Sequence, residues 1–269
     1  MILLIDAGNT RIKWRLVKAG NTAQIIDEGG LDHERVADLA RLTKHYGLPE
    51  RIVASNVAGA DLAARIVTAM APARIRWLRA STQCCSVRNL YDSPAQLGAD
   101  RWAALIGARR LHPHACLIVT AGTATTMDLL AANGDFVGGL ILPGVELMQN
   151  SLARGTAQLP RANGVFSTTP RNTEDAIHSG CMQAQAGAVE RMFRQIADQP
   201  DALCLLGGGA AASFEHLLEI PLRRVDNLVL LGLATVAADC SLAGARPAST
   251  AHDEGAAGSF TPKPGVKLP

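Results

Sequence analysis

The chain has 269 residues, enough for one large domain or two compact ones. Hydrophobic residues make up 48% and aromatics only 4%. The core must therefore be built from Ala, Leu, Ile and Val, small side chains that suit a layered α/β protein. A formal net charge of +2, with basic residues spread along the chain, weighs against a nucleic-acid binder. No apolar stretch nears the ~20 residues of a membrane span. The opening MILLIDAGNT lacks the basic start of a signal peptide. The expectation is a cytoplasmic protein with no membrane and no nucleic-acid partner.

In chain order, residues 2–6 form an apolar strand running into Asp6-Ala7-Gly8-Asn9-Thr10. Ile12, Trp14 and Leu16 alternate with Lys13 and Arg15, a half-buried strand that closes a hairpin. A third strand is expected over 22–30, a helix over 33–46, a strand over 51–55, a helix over 60–70 and a strand over 74–79. A helix at 99–111 then ends before Pro113. The pattern restarts with the apolar run 116–121, which enters Gly122-Thr123-Ala124-Thr125-Thr126. A strand through Met127 and Leu129, a return strand over 136–142 and a helix from Pro143-Gly144 to about Gly155 follow. A long helix begins near Thr173. A strand over 202–206, Gly207-Gly208-Gly209, a helix, a short strand near 222–225 and a last helix over 227–241 complete the pattern.

The chain thus contains two similar halves, each opening with an apolar strand, a Gly turn and a hairpin, an internal repeat of long period. The expected division is 1–112, 113–243, and a tail from 244 to 269 whose Ala, Gly, Ser, Pro and Thr composition predicts disorder.

The first Gly turn joins backbone amides bared by Gly8, the side chains of Asn9 and Thr10, the cation of Lys13 and the carboxylate of Asp6. These groups suit the phosphates of a nucleotide and a hydrated Mg²⁺. A tight hairpin turn is the alternative. The second turn, at Gly122-Thr123-Ala124, repeats the device, and two such turns together would clamp a polyphosphate. Gly207–Gly209 adds a third backbone surface. Asp100 and Arg101 begin the 99–111 helix. Asp100 is either a helix cap or an acceptor for a hydroxyl proton, with Arg101 binding an acidic group. The face Ala176, Ile177, Gly180, Cys181, Ala184, Ala188 and Met192 of the long helix admits close packing, within one subunit or across a dimer. Six cysteines, at 84, 85, 116, 181, 204 and 240, form no C-x-x-C pair. Free thiols are expected, with a redox pair at Cys84-Cys85 as the alternative. His112, His114 and Cys116 fit a loop entering a strand better than a metal site.

With these residues the chain resembles the type III pantothenate kinases, also called the Bvg accessory factor family. The shared blocks are Asp6-x-Gly8-Asn9-Thr10 with Lys13, Tyr91, Leu97-Gly98-x-Asp100-Arg101-Trp102, Gly122-Thr123-Ala124, Gly138-Gly139-x-Ile141-x-Pro143-Gly144, Asn172-Thr173-x-x-Ala176-Ile177 and the Gly207–Gly209 turn. The resemblance implies a duplicated ribonuclease-H-like fold of the actin/hexokinase/Hsp70 superfold, and a homodimer. It implies ATP held by Asp6, Ala7, Gly8, Asn9, Thr10, Arg11, Ile12, Lys13 and Thr123, with Mg²⁺ accompanying the nucleotide. It implies pantothenate held by Tyr91, Gly98, Ala99, Asp100, Arg101 and Thr173, the last near the dimer interface, with Asp100 as general base. The reaction implied is transfer of the ATP γ-phosphoryl group to the primary hydroxyl of pantothenate, the first step toward coenzyme A. Many relatives hold a monovalent cation, K⁺ or NH₄⁺, on an Asp two residues before the second Gly, and here that position is Thr120. Another phosphotransferase of the same superfold and a non-enzymatic regulator are the alternatives.

Overall fold

The computed structural model describes residues 1–155 and 164–239. The tail expected to be disordered, 244–269, lies outside the described residues.

The run Ile-Leu-Leu-Ile makes β1 (Ile2–Ala7) a central strand, because both of its faces are covered. It pairs antiparallel with β2 (Arg11–Lys18), which pairs antiparallel with β3 (Asn21–Asp32). On its other side β1 pairs parallel with β4 (Arg51–Asn56), which pairs parallel with β5 (Ile75–Trp77). The sheet order is β3-β2-β1-β4-β5.

The second half repeats this arrangement. β8 (Cys116–Ala121) pairs antiparallel with β9 (Ala124–Leu130), and β9 antiparallel with β10 (Asp135–Pro143). β8 also pairs parallel with β11 (Leu203–Gly207), and β11 parallel with β12 (Leu222–Arg224). The order β10-β9-β8-β11-β12 is the first sheet's order over again, so the duplication expected from the two Gly turns is present in the topology. Two short strands, β6 (Gln83–Cys84) and β7 (Val87–Asn89), extend the second sheet beyond β10.

Each sheet has its own core. The first packs Leu3, Ile5, Trp14, Ile52 and neighbours against a 3-10 segment (His33–Leu39) and α2 (Ala60–Met70), with α1 (Ala40–Tyr46) alongside. The second packs Leu117, Val119, Met127 and Leu206 against α5 (Thr173–Phe193). α4 (Val145–Gly155) lies against α5 and β10. Two helices fill the remaining layer. α3 (Ala99–Leu111) is buried continuously from Arg101 to Ala108 and touches β8, β9 and β4. α6 (Leu228–Ala238) crosses α3 and covers β1 and β4. A helix buried on all sides needs apolar residues on all sides, and Leu-Val-Leu-Leu-Gly-Leu-Ala-Thr-Val-Ala-Ala supplies them.

Three expectations change. The helix expected after Gly209 is a pair of 3-10 turns, Ala211–Ser213 and Glu215–Leu217. Ser213 Oγ bonds back to Ala210 O at 2.6 Å, and Phe214, with φ −126°, leaves the helical region to bury its ring. The expected helix 33–46 begins as a 3-10 segment and becomes α-helical only at Ala40. The β6–β7 hairpin was not foreseen. It turns on Cys85 (φ 48°) and Ser86 (φ 65°), both left-handed without a glycine to announce the turn.

Candidate active site

The three Gly turns meet at the ends of the two central strands. At the first, Gly8 N donates to Arg11 O at 3.2 Å, and the His33 ring bonds Gly8 O at 2.8 Å. At the second, Gly122 N donates to Ala124 O at 3.1 Å. The turns touch through their side chains: Thr10 Oγ1 and Thr123 Oγ1 are 2.8 Å apart although 113 positions separate them. The third turn closes on the second, with Ala210 N donating to Ala121 O at 3.1 Å. Gly208 sits at φ +92°, and a Cβ there would fall 2.7 Å from the Ala121 carbonyl carbon. Gly144 N donates to Thr123 O at 2.8 Å, bringing the start of α4 to the same place. The Gly turns of both halves thus converge on one place, with these amides bonded to protein carbonyls and the Thr10 and Thr123 hydroxyls directed at each other.

Beside these turns Asp100 lies within electrostatic reach of two other carboxylates, Asp6 and Asp128. Asp6, at the end of β1, accepts from Ser55 Oγ at 2.8 Å, and Ser55 is fully buried. Burial raises the Asp6 carboxyl to about 6; the Ser55 bond opposes this, Asp100 adds to it, and Lys13 opposes it. Lys13 faces Asp6 across the β1–β2 pair. Asp100 is half-buried in the first turn of α3, and its Oδ1 accepts from Arg101 N at 2.8 Å. The N-cap of α3 is Gly98, which has no side chain to cap it, and Asp100 serves the helix start only by using one oxygen on an amide of the first turn. Asp128, on β9, is buried and forked by Arg101, whose Nε lies 3.1 and 3.2 Å from its two oxygens and whose Nη2 bonds Oδ1. Burial raises the Asp128 carboxyl to about 6, Arg101 pulls it down, and Asp100 pushes it up. Burial lowers the Arg101 value, but Asp128 and then Tyr91 outweigh it, so the guanidinium stays charged.

Of the residues singled out from sequence, Asp6, Ala7, Gly8, Asn9, Thr10 and Thr123 are at the paired turns. Ile12 is buried in the first core, and Lys13 stands exposed on β2. Arg11 is an exposed partner of Asp32, with its Nε 3.3 Å from Oδ1. Gly98, Ala99, Asp100 and Arg101 form the start of α3, and Tyr91 lies over Arg101, 5.7 Å from guanidinium carbon to ring centre. Asn89 holds that segment, accepting from Tyr91 N at 3.1 Å and donating to Pro94 O at 3.1 Å. Thr120 is half-buried in β8, where its backbone pairs with Thr126 and Gly207. Thr173 belongs to a different feature, an open groove of about 970 Å³ between α4 and α5, lined by Pro143, Met148, Leu152, Ile177 and Cys181 among others.

Sequence reasoning missed Asp128, Ser55 and His33. Asp128 had a signal, a carboxylate among the apolar residues of Met127-Asp128-Leu129-Leu130. Ser55 and His33 had none. Among the described residues no group of three or more His, Cys, Asp or Glu is placed to hold a metal ion. The five described cysteines are free thiols, with Cys84 Sγ and Cys85 Sγ 3.5 Å apart. No helix among the described residues is long and apolar enough to cross a membrane.

Solved structures of similar fold include a Baf-family protein from Campylobacter jejuni (TM-score 0.55, 18% identity, covering 87% of this chain and 96% of that one). A candidate 2-dehydro-3-deoxygalactonokinase from Sinorhizobium meliloti is also similar (TM-score 0.58, 14% identity, covering 88% and 98%). At such identities they show the fold alone, that of the actin/hexokinase/Hsp70 superfold. Two sequence relatives are much nearer. The chain is 61% identical over 243 residues to the type III pantothenate kinase of Aromatoleum aromaticum, covering 88% of this chain and 98% of the relative. It is 55% identical over 240 residues to that of Azoarcus sp. strain BH72, covering 88% and 91%. The family model for type III pantothenate kinase matches residues 2–195, and the chain belongs to that family.

Proposed function

We propose that the chain phosphorylates the primary hydroxyl of pantothenate with ATP, the first step of coenzyme A biosynthesis. The observation that carries the reading is the contact of the two duplicated Gly turns through Thr10 and Thr123, beside the helix start that bears Asp100. Fold does not fix substrate, so the acceptor rests on the family and on the Gly98–Arg101 block, which the phosphate turns do not require. The turn over residues 6–13 and Thr123 hold the triphosphate. Tyr91, Gly98, Ala99 and Arg101 hold the acceptor, and Asp100 takes its hydroxyl proton through the oxygen that does not cap α3. Phosphoryl transfer has a loose transition state, so positioning and neutralisation of charge dominate.

Mg²⁺ fits the residues present. Asp6 offers a hard oxygen at a strand end with one oxygen fixed by Ser55, and its burial penalises an uncompensated charge. When bound with the nucleotide, the ion supplies neutralisation of phosphate charge. A monovalent cation fits less well, because position 120 offers a hydroxyl where relatives offer a carboxylate, and no step is routed through one.

We propose a homodimer formed on the α4–α5 side. Leu140, Ile141, Leu147, Leu152 and Val165 are exposed there, around the groove that contains Thr173, and an apolar set of this kind marks an interaction surface. Thr173 then reaches an acceptor site only through that assembly. The first sheet with its helices, and the second sheet with β6 and β7, are proposed as the two lobes, in the cytoplasm.

A coupled assay of ADP release with and without pantothenate tests the reading. ADP release is expected to require pantothenate, and Asp100→Asn is expected to keep ATP binding while losing turnover by about 10²–10⁴-fold. ADP release indifferent to pantothenate would refute the acceptor, and near wild-type turnover in Asp100→Asn would reduce that residue to a helix cap.

A further inference from the structure

The Arg101–Asp128 pair is unusual for its position. Both side chains are almost fully buried, 7% and 1% exposed, at the end of the one helix that also bears Asp100. A buried ion pair is a poor source of stability, since well-packed apolar residues of the same volume often do as well or better. Its geometry is nonetheless restrictive. Asp128 takes Nε and Nη2 of the guanidinium, which removes the rotamer freedom of a long side chain and leaves Nη1 outside the fork. The rings of Tyr91 and Phe136 flank the guanidinium, their centres 5.7 and 5.9 Å from its carbon. Gly139, on β10, provides the last wall. A Cβ there would fall 2.8 Å from Arg101 Nη2 and closer still to Asp128 Oδ1. Groups from α3, β9, β10 and the segment after β7 are thus all arranged around one cation next to Asp100.

We infer that Asp128 is a positioning residue for acceptor binding: it fixes the Arg101 guanidinium so that Nη1 and the Tyr91 side are presented, already ordered, to the acidic end of the acceptor. Asp128 does not touch the acceptor and acts through Arg101. The inference rests on the proposed role of Arg101 at the acceptor site. A cation fixed before the ligand arrives costs less ordering on binding than a mobile one. Asp128 serves the acceptor and not the nucleotide, so its loss separates the two substrates kinetically.

The test uses the full chain with ATP and pantothenate titrated separately, for Asp128→Asn, Arg101→Met and the double variant, with melting temperature measured for each. In Asp128→Asn the pantothenate KM is expected to rise about tenfold or more while the ATP KM changes less than about twofold. In the Arg101→Met background the same substitution is expected to add nothing to the pantothenate KM. A folded Asp128→Asn with lowered melting temperature and unchanged pantothenate KM would overturn the inference and leave the pair merely structural. Arg101→Met without effect on the pantothenate KM, in an enzyme whose turnover still needs pantothenate, would remove Arg101 from the acceptor site and the inference with it. Should Asp128→Asn fail to fold, Asp128→Glu keeps both charges and displaces the same fork by one methylene. A selective rise in pantothenate KM is expected from it, and an unchanged value in the folded variant overturns the inference.

Discussion

Gly232 is the point at which α6 lies closest to α3, and replacing it with Ala tests how the start of α3 is held. A Cβ at 232 would fall 2.6 Å from the Ala103 carbonyl carbon and nearer to its oxygen, where ordinary contact begins at 3.4 Å. The helices would have to separate by about 1.6 Å to bring the oxygen to ordinary contact, because the obstacle is backbone and cannot turn aside. Gly107 meets α6 in the reciprocal sense, with a Cβ there 2.9 Å from Gly232 N, so the crossing has no slack on either side. Overpacking of this kind costs about 1–3 kcal/mol. Ala gains about 1 kcal/mol over Gly in a helix interior. With both helices buried along their length, the upper end of the cost applies, and the net loss is about 2 kcal/mol. For a body of this size that is a fall of about 4–8 °C in melting temperature, read by scanning calorimetry. Turnover is expected to fall in the same variant even where it is fully folded, since Asp100 rides on the displaced end of α3. Gly187→Ala is the control: it is exposed on α5 with nothing within 4 Å of a Cβ, and should be neutral or stabilising. A Gly232→Ala protein melting at or above the unmodified one would refute the tight crossing.

Three further outcomes are expected. Lys13→Ala and Thr123→Ala should each raise the ATP KM more than the pantothenate KM in steady-state assays, and unchanged ATP dependence in both would sink the two-turn clamp. Asp6 has a folded value of about 6 against an ordinary 3.8, so the folded state binds more protons between those values. Its contribution to stability is therefore fully present below about 3.8 and lost as pH rises through about 6. Asp6→Asn should then raise the melting temperature at pH 8 more than at pH 4.5 while lowering activity, and an equal shift at both pH values would contradict the burial of that carboxylate. Thr120→Asp should strengthen activation by K⁺ over the weak dependence expected of the unmodified protein, read as rate against K⁺ in a Tris buffer.

Much of the fold was legible because it depends on pattern. The unbroken apolar runs at 2–5 and 116–119 read as central strands because both faces are covered. The two Gly turns announced a duplication that the sheet orders repeat strand for strand. What was illegible depends on partners distant in sequence. The Cys85-Ser86 turn has none of the residues that usually permit left-handed backbone, and it is fixed by pairing with β10 through β7. The segment after Gly209 has the composition of a helix but is tied down at Ala210 by Ala121. Asp100 and Arg101 were visible at a helix start. The carboxylate that fixes Arg101 was not, because Asp128 lies 27 positions further on and only the folding of β9 against α3 brings the two together.

The charges at the site bear on the divalent ion proposed to accompany the nucleotide. Asp6, Asp100 and Asp128 stand against Lys13 and Arg101, so these five groups carry one negative charge in excess when all are ionised. Arg101 is committed to Asp128 on one side, and Lys13 is exposed, where solvent weakens its reach. A triphosphate entering between the turns meets amides and hydroxyls that favour it and carboxylates that oppose it. Half-buried Asp6 and buried Asp128 are the more opposed to ionisation for having Asp100 near them. In the proposed function Asp6, the carboxylate nearest the phosphate turns in sequence, would hold a divalent ion brought with the nucleotide, and that ion would supply the missing positive charge there. The three carboxylates thus divide by their surroundings: Asp6 is bonded to Ser55, Asp128 to Arg101, and Asp100, half-buried with one oxygen on the Arg101 amide, is the one to which the proposed function gives the hydroxyl proton.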